Sequence, residues 1–429
     1  MRTADDGAGA GTFDPERDRR RGWVATVVVG FGAFVLAASQ LMPVALIAQV
    51  ATDLDVSDGI SGLMIAVPAV TAALTAFTLT VPLQHVDRRW LLVGFAVLFT
   101  VSDAIAAVSP HIAVLLAARV LLGVALGGFW AIAASMAPRL VPTRDVGMAT
   151  ATVFGGIALA TAVGVPAGAF LASWSNWRVA IGVMAALGLL AAVLQLVAVP
   201  SLPEHRLRPR PPLGQVLRRR SLWTVAVVSL LMFTGQFSAY TYLQPTLRDE
   251  FGVAPGDIGG LLLAFGIGAV IGNFTAGPLA QRFIGLTICG VCTLSLLGIL
   301  ALRLPLPVPV ALGAALVVWG MGLGSTAAVL SIWNMRVSGD HLEAGAAVFI
   351  GVTQGSIALG AAIGGRWVDG FGTPAAAWFG AALFAVALGL LVAVWWPRPG
   401  PRADAAPAGV SPAGPAARAR PSRRPSGSA

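Results

Sequence analysis

Lysine is absent from the 429 residues, cysteine and tyrosine occur twice each, histidine four times, and charged side chains make up only 11%. Each scarcity removes a class of protein. Without lysine no phosphate loop of the G-x-x-x-x-G-K-[ST] type can exist, so the chain does not itself drive a pump with ATP. Two cysteines cannot build a disulfide framework. Cys289 and Cys292 form a C-x-x-C spacing inside an apolar run, which reads as inert thiols on a helix. His85, His111, His205 and His341 lie far apart in loops and offer no metal-ligand spacing, so neither metal nor cofactor is expected. A soluble domain carries charge on roughly a quarter of its residues. Water cannot be this chain's main solvent.

What fills the sequence is apolar: 57% hydrophobic residues and a mean hydropathy of +0.82. A hydrocarbon layer about 30 Å thick needs some 20 apolar residues per helical crossing. Such runs fall at about Trp23–Val50, Ile60–Leu83, Leu91–Ser109, Ile112–Ala137, Gly147–Ser173 and Val179–Val199. After an Arg/Pro-rich stretch, six more follow at Leu222–Leu243, Ile258–Leu279, Ile284–Leu302, Val308–Trp333, Ala344–Gly365 and Ala375–Trp396. The short alternating segments of a transmembrane β-barrel are missing. The expectation is an all-α integral membrane protein with a segment 1–22, a six-helix bundle 23–199, a linker 200–221, a second six-helix bundle 222–396 and a disordered tail 397–429. The first apolar run is too long for a signal peptide and reads as an uncleaved span.

The formal charge of +9 raises the question of nucleic acid, and distribution answers it. Arg88, Arg89, Arg139, Arg144, the arginines of the linker and both terminal segments, Arg282 and Arg336 all fall on the N-terminal side of the twelve-span arrangement. Only Arg178, Arg248, Arg303 and Arg366 fall on the other. Cytoplasmic loops of membrane proteins carry such a basic excess, so both termini and the linker are expected in the cytoplasm of a bacterial inner-membrane protein. The partners expected are lipid, protons and a small-molecule substrate, with no nucleic acid, around a monomer.

The halves repeat weakly. Gly156-Ile-Ala-Leu-Ala echoes Ser356-Ile-Ala-Leu-Gly, and Gly123-Val-Ala-Leu-Gly127 echoes Gly320-Met-Gly-Leu-Gly324. Two bundles related in this way point to a midplane site between them and transport by rocking. Small-x-x-x-small pairs such as Gly123/Gly127 and Gly320/Gly324 let helix backbones approach in lipid. Gly164-Val-Pro166-Ala-Gly168 places a proline inside a span, where a bend is expected.

Ionisable groups deep in hydrocarbon are functional candidates by default. Asp103 in the third span and Arg119 in the fourth each stand eight residues from His111 in the tight turn between them. At 1.5 Å rise per residue both sit about 12 Å from that turn, so they can meet. Burial and the guanidinium pull the carboxyl in opposite directions, which suits a group that exchanges a proton; a static ion pair is the plainer alternative. Polar groups on otherwise apolar helices complete the candidates for substrate: Gln40, Trp130, Ser135, Gln236, Tyr240 and Gln354, together with Tyr242, Trp333 and Asn334, interfacial anchoring accounting for Trp333 equally well. Amide, hydroxyl and ring groups suit a planar solute that hydrogen-bonds.

Leu115-Leu-Ala-Ala-Arg119-Val-Leu-Leu-Gly123 resembles the arginine motif of helix four, and Gly156…Gly164-Val-Pro166-Ala-Gly168 the antiporter motif of helix five, in the major facilitator superfamily. The resemblance covers most of Trp23–Trp396 and is to the twelve-helix drug/proton antiporter branch. It implies two pseudo-symmetric six-helix bundles. Val86-Asp87-Arg88-Arg89 resembles a degenerate gating motif, which implies gating roles for Asp87, Arg88 and Arg89 alongside Gly164, Pro166 and Gly168. Gly127-Gly-Phe-Trp130, Gly235-Gln-Phe and Gly360-Ala-Ala-Ile-Gly-Gly365 are similar to bacterial purine ribonucleoside efflux pumps and neighbouring sugar and chloramphenicol exporters. Relatives carry a glutamate in helix one where this chain reads Ser39-Gln40-Leu41-Met42-Pro43, which makes Asp103 the natural substitute as proton site. The expectation is a proton-coupled exporter of a nucleoside, purine analogue or drug, not an enzyme. A facilitator or uptake carrier for sugars or other metabolites is the rival.

Overall fold

The computed structural model describes residues 15–78, 86–133, 136–201, 220–304, 309–339 and 342–395. Ser135, most of the linker and the tail lie outside them. Twelve helices among the described residues are long and apolar enough to cross a membrane. They are Arg19–Ala45, Asp58–Ala76, Arg88–Ala107, Ile112–Ala133, Met148–Trp174 and Trp177–Ala198, then Ser221–Asp249, Pro255–Arg282, Ile284–Ala301, Val310–Ser338, Gly345–Phe371 and Thr373–Trp395. Helices are what a chain in lipid must form, because each backbone N–H and C=O is then satisfied within its own segment. The first six spans make one bundle and the last six the other.

The small-residue pairs lie on the seams of these bundles. A methyl group added at Gly123 or Gly127 would stand 2.5 Å from the Pro68 or Ala72 carbonyl oxygen of the second span. Gly320 and Gly324 repeat the arrangement in the other bundle, where the same methyl would meet the Phe265 and Ala269 oxygens of the eighth span at 2.0 and 1.9 Å. The sequence echo is therefore a packing echo.

Three spans are not regular helices. The fifth carries a π-helical segment at Ala160–Gly164 before it resumes at Val165. The bend expected at Pro166 is thus a π-bulge one turn earlier, and Gly164 and Gly168 lie against Ala38 and Met42 of the first span. The first span itself breaks: its helix ends at Leu41, a 3-10 turn covers Met42–Ala45, and a short helix follows at Ile47–Asp53. The seventh span does the same at Thr241 and Tyr242 before Leu243–Asp249. Pro43 lies within the first break, and Pro245 in the short helix that follows the second. Hydropathy treats each as one uninterrupted run, so neither break was expected.

The bundles meet at the end away from the N terminus. There the second span lies on the eleventh, where a methyl at Gly365 would be 3.0 Å from the Gly59 Cα and one at Gly62 would be 2.0 Å from the Tyr242 hydroxyl. The fifth lies on the eighth at Gly259 and Gly266. Gln244 accepts the Ala48 N–H at 2.9 Å, joining the two broken spans. One apolar cluster accordingly mixes Leu41, Val44, Ile47, Ile65 and Val165 with Phe237, Phe265 and Trp319. At the opposite end Arg19 pairs with Asp145 within the first bundle at 3.0 Å, and Arg336 donates to the Ala280 carbonyl within the second at 3.1 Å.

Candidate functional site

Asp103 and Arg119 meet. Arg119 Nη1 stands 3.2 Å from Asp103 Oδ1, and the side chains are 1% and 0% exposed. The sequence alone did not show the third member, Ser39 of the first span. Its Oγ lies 2.8 and 2.7 Å from the two carboxylate oxygens, so the hydroxyl donates to Asp103. Arg119 Nη1 also reaches the Ser39 carbonyl at 3.3 Å and Oγ at 3.4 Å. Beside them, Ser102 donates to the Ala118 carbonyl at 2.6 Å, which fixes the third span on the fourth at the depth of the pair. A buried ion pair survives only when its geometry is good and its remaining donors and acceptors are met. Ser39 supplies both kinds of group here, while Arg119 Nε stays unpartnered.

The substrate candidates share a different property. Gln40 Nε2, both amide atoms of Gln236, the Tyr240 hydroxyl and Gln354 Nε2 are buried without a hydrogen-bond partner. Leaving such a group unsatisfied costs about 1–3 kcal/mol. Gln236 and Tyr240 are one turn apart on the seventh span, and the Thr234 hydroxyl bonds the Ser356 carbonyl at 3.4 Å, bringing in the eleventh, which carries Gln354. Tyr240 stacks on Phe265 at 4.9 Å and meets Phe237 and Trp319 edge-on. The Trp319 indole N–H is likewise orphaned, and neither it nor Phe265 stood out in the sequence, where an aromatic residue on an apolar helix reads as core. Trp130 lies apart from this group, stacked on Phe154 at 5.3 Å and edge-on to Phe129. Trp333 and Asn334 are buried at the far end of the tenth span, Trp333 with its ring 6.0 Å from that of Trp395.

Of the gating candidates, Asp87, Arg88 and Arg89 stand at the start of the third span. Asp87 caps the third span by accepting the Arg89 N–H at 2.9 Å and also takes the Ser201 hydroxyl. Arg89 donates to the Leu196 carbonyl, and Arg88 is buried. Polar contacts between bundles are found at the other end, around a residue that sequence reasoning passed over. Asp369, at the end of the eleventh span, accepts the Ser57 hydroxyl at 2.7 Å and the Gly59 N–H at 2.9 Å. It caps the second span across the interface, where a carboxylate suits a helix N terminus. Arg248 lies 3.7 Å from Asp58 close by. At the same end Asp53 binds the Trp177 indole at 3.1 Å and the Arg178 guanidinium, and the Arg178 bond, backed by that indole, holds its carboxyl below the ordinary value against some burial.

Twelve apolar crossings in two bundles, with a buried ion pair, its serine partner and unpaired amides in the interior, are the features of a multi-pass membrane transporter. The profile of the Major Facilitator Superfamily matches residues 23–245 and 229–425, and the chain belongs to that family. It is 31% identical over 356 residues to the purine ribonucleoside efflux pump NepI of Salmonella paratyphi A, an alignment spanning 82% of this chain and 89% of that protein. The pump of the same name from Escherichia coli is 31% identical over 353 residues, with the same coverage. A crystal structure of the nucleoside transporter NupG superposes with a TM-score of 0.72, covering 86% of this chain and 99% of that one at 12% identity. That likeness is one of fold.

Proposed function

We propose that the chain exports a purine ribonucleoside or a similar uncharged planar solute in exchange for protons, by alternating access between its two bundles. The observation that carries the reading is the Asp103–Arg119–Ser39 triad, a titratable group buried with one counter-charge beside a span that also bears the substrate candidate Gln40. The orphaned amides and the Tyr240 hydroxyl support a solute that hydrogen-bonds but carries no charge, since these groups offer donors and acceptors without a charge. The relatives' name supplies the chemical class. The contacts at Asp369 and Gly59 fit a conformation closed at the end away from the N terminus; with the arginine distribution, that end faces outward and substrate would enter from the cytoplasm.

Purified protein in everted proteoliposomes, given an acid interior, is expected to accumulate tritiated guanosine about tenfold or more. One proton moving through about 100 mV releases some 2.3 kcal/mol, enough for such a gradient. A protonophore should abolish the accumulation. Equilibration that ignores the proton gradient would instead mark a facilitator. Alternating access has its own test at the closed end. Asp369→Ala removes two hydrogen bonds to a carboxylate, each worth about 1.5–3 kcal/mol. It is expected to shift the conformer balance about tenfold or more toward longer distances between spin labels at Asp55 and Phe371, read by pulsed electron resonance.

A further inference from the structure

We infer that Ser39 is the positioning residue that converts the charge state of Asp103 into a movement of the first span; this rests on Asp103 being the proton site. The geometry begins with Pro43. A proline has no N–H to return to the carbonyl four residues earlier, so the Ser39 carbonyl loses its α-helical partner. Arg119 Nη1 takes that carbonyl at 3.3 Å while the same nitrogen holds Asp103 Oδ1 at 3.2 Å. One guanidinium nitrogen is thus divided between the carboxylate of the third span and the broken backbone of the first. The Ser39 hydroxyl, 2% exposed at the residue level, is the second link to the same carboxylate.

Follow one proton arriving at Asp103. An O–H bond forms on a carboxylate oxygen, and its hydrogen needs an acceptor; Ser39 Oγ is already within hydrogen-bond distance. The hydroxyl's own hydrogen turns away from Asp103. Arg119 loses its anionic partner and shifts its hold to the Ser39 carbonyl. No other covalent bond is made or broken, only hydrogen bonds are exchanged, and the added charge is the proton's. The first span is drawn toward Arg119 at its break, and Gln40, the next residue, moves with it. Substrate contact and proton occupancy are then two readings of one displacement. The other charged groups on the elements packed around Asp103 are remote: Arg19, Arg20 and Arg21 at the far end of the first span, Arg88 and Arg89 at the start of its own, and Arg178 of the sixth, which is tied to Asp53.

The test compares Ser39→Ala, Ser39→Thr and Pro43→Ala with Asp103→Asn. Two quantities are read: the pH of half-maximal gradient-driven guanosine uptake in proteoliposomes, and the infrared titration of the carboxyl band that Asp103→Asn removes. Ser39→Ala takes a donor from the ionised carboxylate, so both midpoints should move to higher pH by about one unit or more. Ser39→Thr should move them back. Pro43→Ala returns an N–H to the Ser39 carbonyl and commits Arg119 to Asp103, so the midpoints should move to lower pH. It also serves if Ser39→Ala fails to fold. A role in packing alone would lower uptake at every pH without moving either midpoint, and would overturn the inference. Should Asp103→Asn transport as the parent chain does, the proton-site reading itself is wrong; should Asp103 titrate with midpoints indifferent to Ser39 and Pro43, only the coupling is.

Discussion

Arg119→Met is expected to cost about 3–5 kcal/mol of fold stability, the range for removing one partner of a buried ion pair. The reason is local. Asp103 is wholly buried, its direct partners are Ser39 and Arg119, and a hydroxyl alone does not balance a carboxylate held away from water. Thermal unfolding in nanodiscs reads the loss. The informative comparison is the double substitution Arg119→Met with Asp103→Leu, which removes both charges and fills the space with apolar groups. Such replacements are often neutral or stabilising, so the double variant should recover to within about 1–2 kcal/mol of the parent. Gradient-driven transport should stay absent. Recovery of stability without recovery of coupling would separate the pair's place in the fold from its part in moving protons; recovery of both would show the pair to be structural only.

The second large effect is in the seam between the eighth and tenth spans. Gly324→Val places its first side-chain carbon 1.9 Å from the Ala269 carbonyl oxygen, and a backbone atom cannot swing aside as a side-chain tip can. The helices must separate along a contact that Gly268, Gly272 and Gly320 also depend on, so the cost should reach the upper end of overpacking, about 3 kcal/mol. Gly313→Val on the same tenth span is the control. An added methyl there meets nothing within 4 Å, and stability should change by about 0.5 kcal/mol or less. Equal losses in the two variants would mean that intrinsic helix preference, rather than the seam, sets the effect.

How much of this was legible beforehand follows from what each signal measures. Hydropathy reports length in lipid, and it placed all twelve spans. Eight residues on either side of a two-residue turn set the depth of Asp103 and Arg119, so their meeting could be read from spacing. Ser39 could not, because a serine on an apolar helix is common and its partners come from two other spans. Nor could the break at Met42–Ala45, since a proline inside a membrane helix is tolerated and leaves the hydropathy unchanged. Asp369 was hidden for a further reason: it caps a helix of the other bundle, more than 300 residues away in sequence. Contacts between halves belong to one conformation, and a linear pattern is shared by every conformation the chain adopts. Trp319 and Phe265 read as ordinary core until their neighbour Tyr240 was seen with its hydroxyl unmatched.

The sealed end has a pharmacological side. With backbone nearly against backbone at Gly59 and Gly365, a blocker too polar to cross lipid and confined to that face finds no doorway in this conformation. Under the alternating access proposed above, it would bind only when the seam parts and would then trap the protein in the alternative shape. On the same proposal, a blocker arriving from the N-terminal face would compete with cargo directly. Inhibitors of this molecule therefore divide by the compartment they are dosed from, and resistance mutations against the two kinds should fall at opposite ends of the bundles.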